Sequence, residues 1–243
     1  SHLIELRDRL IRALLAVGIV FGALMLWPGA GALYDLLAQP LTAHLPQGAT
    51  MIATSVITPF LVPLKITLMA AFLLALPYVL YQVWAFVAPG LYSHEKRMVL
   101  PLVVSSTILF LVGVAFVYFV VIPGLAGFIQ AVAPQSITAA PDVEEYFGFV
   151  LTLFLVFGIA FEVPIAVVVL VRIGAVSVEQ LVKARGYVIV GTFVVAAIVT
   201  PPDVISQLAL AIPMCLLYEA GIIVARGIER RAQADSAREG KGA

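Results

Sequence analysis

The chain of 243 residues holds one cysteine, Cys215, set inside an apolar run. No intrachain disulfide is available to it, and Cys215 reads as a small packing residue rather than a reactive thiol. Charge is scarce: Asp, Glu, Lys and Arg make up 12% of the residues, against about 25% in soluble domains. The three histidines, His2, His44 and His94, fall in three separate segments. With a single cysteine and no closely spaced histidine pair, no metal centre is expected. There is no Walker-type phosphate loop and no GxGxxG turn. Ser105 and Ser106 have no His or Lys nearby in sequence and read as helix-packing hydroxyls. No catalytic residue, cofactor or nucleic-acid partner is expected. The two halves do not look like repeats, which argues against a typical secondary transporter. No cleavable leader is expected, because the first apolar run lacks a small-residue cleavage site and further apolar runs follow it.

Apolar residues, at 63%, are what the chain does have. They fall in runs at about 10–27, 59–86, 98–122, 146–171, 187–200 and 204–224, and a helical span needs roughly 20. The predicted fold is all-α: one transmembrane domain over 1–243 with six spans, ending in a charged tail, 225–243, expected to be disordered. Leu3, Leu6, Leu10 and Ala13 recur at helical spacing, so an amphipathic surface helix should run into span 1. Tyr34 to Ala38 is a second amphipathic piece, with Pro40, Pro46 and Gly48 as punctuation after it. Pro123 opens the loop to Glu145. The fifth run has only fourteen residues, about 21 Å of helix against a hydrocarbon core of about 30 Å. The helix borrows flanking residues, the bilayer thins there, or the Pro201–Pro202–Asp203 turn simply sinks below the outer interface.

Basic residues fix an orientation. Three lie in the N-terminal piece (Arg7, Arg9 and Arg12), two follow span 2, three follow span 4 and five lie in the tail, whereas the three opposite loops have none. The positive-inside rule puts both termini in the cytoplasm. The remaining one, Lys65, lies near the outer end of span 2 and is expected to snorkel outward rather than serve transport.

Two sets of acids stand out. Glu162 lies within the fourth span, and an ionised carboxylate facing lipid at that depth costs ~2.5–3.5 kcal/mol or more. Gly148, Thr152, Leu155, Gly158 and Ala166 share its face, which favours a protein-lined or wet cavity over lipid. The other reading is a buried acid, protonated or held by a hydroxyl. Pro164 should kink the helix beside it. Glu5 and Glu95 flank the cytoplasmic surface. A carboxylate can hold an arginine through two parallel hydrogen bonds, so the two acids could receive two arginines of a partner. The ordinary alternative is a helical Glu5–Arg9 pair and a solvated Glu95.

Five strings, in order, resemble the TatC family, the polytopic subunits of the twin-arginine protein translocase. They are HLIELRDRL (His2 to Leu10), LPQGATMIAT (Leu45 to Thr54), YQVWAFVAPGLYSHEKR (Tyr81 to Arg97), FEVP (Phe161 to Pro164) and TPPDVISQ (Thr200 to Gln207). The resemblance implies a non-enzymatic receptor in the bacterial inner membrane, with helices in a cupped arrangement and short helices 5 and 6. It would bind twin-arginine signal peptides of folded precursors and work with TatB-like and TatA-like single-span proteins. The assembly would be a hetero-oligomer with several TatC copies, driven by the proton-motive force. On matching positions, Glu5 and Glu95 would contact the two arginines, with Arg7, Phe86, Pro89, Leu91 and Tyr92 beside them. Glu162 would be the polar point of the concave face. Thr200, Pro201, Pro202, Asp203 and Gln207 would lie near the partner-docking region. The competing reading is a proton-coupled small-solute transporter using Glu162. It needs further polar groups at membrane depth, and Glu162 is nearly alone there in sequence.

Overall fold

The computed structural model describes residues 2–42, 51–87, 99–132, 142–200 and 204–239. They form helices α1 (His2–Leu26), α2 (Ala30–Thr42), α3 (Thr58–Val87), α4 (Val99–Phe116), α5 (Ile122–Val132), α6 (Val143–Arg172), α7 (Val178–Lys183), α8 (Arg185–Val199) and α9 (Val204–Glu239). A π-helical turn, Val117–Val121, joins α4 to α5. The described residues contain no β-strand; Ile52 and Asp142 make an isolated bridge. Five helical stretches are long and apolar enough to cross a membrane, and α8 is a shorter apolar helix. All six predicted apolar runs are therefore helical.

The chain divides into two compact units, one through Val156 and one from Phe157. In the first, α1 packs along α3, and α2 and α4 also lie against α3. Gly29, at φ 94°, turns the chain from α1 into α2, a backbone state a side chain would strain. Trp84 Nε1 donates to Ser106 Oγ at 2.8 Å, both residues buried, which ties α3 to α4. Ser106 is thus the packing hydroxyl its setting suggested. In the second unit, α7 and α8 pack on α9. Val167, Val171, Val178, Leu181, Tyr218, Ile222 and Ala225 make its core.

Several boundaries differ from the sequence reading. Helix continues through Pro123 to Val132 instead of ending there. The π turn directly before it, closed by Ile122 N–H to the Val117 carbonyl, changes the bonding register where proline has no N–H to give. Likewise α2 runs past Pro40 to Thr42, because a proline in a last turn removes only one terminal bond. The segment after span 4 contains α7, which Ser177 and Gln180 start with a reciprocal capping box. Finally, α9 extends to Glu239 through most of the supposed disordered tail. Its Ala, Arg, Glu and Gln residues are good helix formers, and extending an existing helix needs no new nucleus.

Candidate functional site

Glu5 lies in the first turns of α1. Its Oε1 accepts both Arg9 Nε at 3.0 Å and Arg9 Nη2 at 2.8 Å. Arg9 Nη1 also reaches Gln82 Oε1 on α3 at 3.4 Å. The ordinary helical pair thus forms and is also fastened to a second helix. Arg7 turns instead to Asp8, at 3.0 Å. Because α1 and α3 run antiparallel, Glu5, a turn before Arg9, and Phe86, a turn after Gln82, lie toward the same end. Pro89, Leu91, Tyr92 and Glu95 lie outside the described residues.

Beyond Glu5 an apolar groove of about 630 Å³ runs between α1, α3 and the first half of α6. Leu10, Leu14 and Val17 line it from α1, Phe72 and Val79 from α3, and Leu151 and Leu155 from α6. From Lys65 to Val79 it follows α3 for roughly 21 Å at helical rise. Gly148 opens one wall: a Cβ there would meet nothing within 4 Å.

The groove's far end is polar. Lys65 Nζ lies 2.8 Å from Glu144 Oε1, and Thr58 Oγ1 donates to Glu144 Oε2 at 3.0 Å. Lys65 therefore pairs across to α6; the expectation of a simply snorkelling lysine did not include this partner. Asp142 caps α6, its Oδ1 accepting from the N–H groups of Glu144 and Glu145 at 2.8 and 3.1 Å. Its Oδ2 accepts from Thr54 N and Oγ1 at 3.0 and 2.6 Å. These hydrogen bonds, the Thr54 hydroxyl first, hold the Asp142 carboxyl below its ordinary value. The cap was legible as Asp142 with Glu145 three residues on. The Lys65–Glu144 pair was not, since 79 residues separate its members.

In the second unit, Glu162 sits on α6 with both carboxylate oxygens buried. Helix α6 is continuous through Pro164, and α9 passes so close that a Cβ on Gly221 would lie 3.0 Å from Pro164 Cα. Thr200 caps the C-terminal end of α8, its N–H and Oγ1 both bonded to the Ala196 carbonyl at 2.8 and 2.7 Å. Gln207 is half-buried in the first turn of α9. Pro201, Pro202 and Asp203, between them, lie outside the described residues.

Fold and groove together define a multi-pass helical membrane protein whose first unit presents a long apolar trough with a polar group at each end. The model of the Sec-independent protein translocase protein TatC matches residues 1–213. Over 226 residues the chain is 51% identical to the TatC protein of Haemophilus influenzae, covering 93% of this chain and 88% of that one. It is 50% identical to the Halothiobacillus neapolitanus TatC protein over 226 residues, 93% of this chain but 61% of that longer relative. A crystal structure of a twin-arginine translocase receptor, TatC, superposes with a TM-score of 0.82 at 40% identity, covering 93% of this chain and 98% of that one. The chain belongs to the TatC family and is a component of the Sec-independent, twin-arginine protein translocase.

Proposed function

We propose that this chain is the signal-receptor core of its translocase, binding twin-arginine signal peptides of folded precursors at the cytoplasmic face. The observation that carries the reading is the placement of Glu5 about five residues, roughly 7.5 Å along the helix, before Leu10, where the apolar groove begins. A signal peptide joins two arginines to an apolar stretch of 7–15 residues. The carboxylate would take an arginine guanidinium, and the groove would take the apolar stretch as a helix of about 14 residues. Glu95 is assigned the second arginine, with Arg7, Phe86, Pro89, Leu91 and Tyr92 shaping the surface between. Only Oε1 of Glu5 is engaged by Arg9, so Oε2 is free of that pair.

Both termini face the cytoplasm of a bacterial inner membrane in this reading, on the distribution of basic residues. TatB-like and TatA-like single-span proteins dock near Thr200, Pro201, Pro202, Asp203 and Gln207, in an assembly with several copies of this chain. Glu162 serves a step after peptide binding, under the proton-motive force. The test is binding of a twin-arginine peptide and its Lys-Lys version to the detergent-solubilised protein. The parent should discriminate between them, and Glu5→Gln or Glu95→Ala should abolish the difference. Retained discrimination in both variants would overturn the carboxylate assignment. Glu162→Gln should leave peptide binding intact and impair transport; unimpaired transport would remove Glu162 from the mechanism.

A further inference from the structure

A second cavity, of about 470 Å³, opens in the unit from Phe157 onward, between α7 and the turns of α9 just past its apolar run. It is lined by Val178, Glu179, Val182 and Lys183 of α7 and by Arg226, Glu229 and Arg230 of α9. Three cations and two acids therefore surround one open notch. None of the five side chains makes an ion pair or hydrogen bond among the described residues. Opposite charges gathered in one place without pairing are held apart by their helices. On α9, Arg226, Glu229 and Arg230 share one face at i, i+3 and i+4.

The wall that keeps them apart is well fixed. Val178 and Leu181 are buried in the unit's core. Tyr218 Oη donates to the Leu181 carbonyl at 2.9 Å, and the Ser177–Gln180 capping box sets the start of α7. The notch also lies just past an apolar run. The apolar run of α9 ends at Val224, so Arg226 is the first charge beyond it. Lipid headgroups are expected where an apolar run gives way to charge, and basic pockets beside spanning helices collect their phosphates.

We propose that this notch binds a zwitterionic phospholipid headgroup carrying a phosphate and a primary ammonium, as in phosphatidylethanolamine. Arg226, Arg230 and Lys183 face the phosphate, and Glu179 and Glu229 face the ammonium. A purely anionic headgroup would leave both acids unmatched. A quaternary ammonium has no N–H to donate to them. Val178 and Val182 give the notch an apolar edge.

The test is native mass spectrometry of the detergent-purified full chain with added phosphatidylethanolamine, phosphatidylcholine or phosphatidylglycerol, and with soluble glycerophosphoethanolamine as the headgroup alone. Phosphatidylethanolamine should be retained most strongly. Arg226→Gln with Arg230→Gln should lower its retention about tenfold, the scale of losing charge-assisted hydrogen bonds. Glu179→Gln with Glu229→Gln should erase the preference over phosphatidylcholine while leaving phosphate-dependent retention. Partial displacement by glycerophosphoethanolamine would place recognition in the headgroup. Stronger retention of phosphatidylglycerol, or equal retention by parent and both variants that melt at the parent's temperature, would overturn the proposal.

Discussion

Lys65 on α3 and Glu144 on α6 are joined at 2.8 Å at the end of the apolar groove far from Glu5, with Thr58 on the second carboxylate oxygen. Both charged side chains remain partly exposed, so the pair closes the groove's end without being sealed from its surroundings. Removing one partner strands the other beside apolar side chains, whereas removing both does not. Lys65→Met and Glu144→Met should each lower the melting temperature in detergent. The double variant should lose less than the sum of the two. Additive losses would mean that the two side chains contribute independently.

Asp142 supplies an acid-sensitive clamp. Its carboxyl is held below its ordinary value of 3.8, chiefly by the Thr54 hydroxyl. A group whose pKa is lower folded than unfolded contributes stability that is fully present above the unfolded value. That contribution is lost as pH falls through the folded value. The acid limb of the stability curve below about pH 4 should therefore be flatter in Asp142→Asn than in the parent. Thermal melts between pH 2 and pH 6 would check this, and parallel acid limbs would exclude Asp142 as a contributor.

Gly148 separates groove occupancy from folding. A Cβ there would meet nothing within 4 Å, and replacing glycine inside a helix gains up to about 1 kcal/mol of helix propensity. Gly148→Leu should fold at least as well as the parent while filling the trough. Affinity for a signal peptide should fall about tenfold, the effect of displacing roughly one buried leucine's worth of contact. A peptide titration alongside a melt reads both. Unchanged affinity would move the apolar stretch of the signal elsewhere.

Gly221 is the opposite case. A Cβ would sit 3.0 Å from Pro164 Cα and 3.1 Å from Val167 Cβ. The first of these is backbone and cannot swing aside. Gly221→Ala should cost about 1–3 kcal/mol through overpacking, despite alanine's better helix propensity. Chemical or thermal unfolding of the variant would show it, and a neutral result would mean that α9 can draw back from α6 at no cost.

Six apolar runs and their helicity followed from sequence, because spanning a bilayer demands long helices and leaves a signal in composition alone. The family was legible in five short strings, and the Glu5–Arg9 pair in simple helical spacing. The α6 cap was also there to be read, in Asp142 and Glu145. Continuation through Pro123 was not, since it depends on a π turn that local sequence does not mark. Nor was helix over 225–239, where charged composition resembled that of an unfolded tail.

Tertiary structure alone decided which distant residues meet. It brought Glu144 to Lys65, laid Arg9 against Gln82, and left a trough beside Gly148 where three helices fail to close. It also set α9 against Pro164 with room for hydrogen at residue 221 and no more. The physical reason is the same throughout. Sequence period fixes which face of a helix is apolar, but groove, pair and close approach arise from the distances between helices, which only their packing determines.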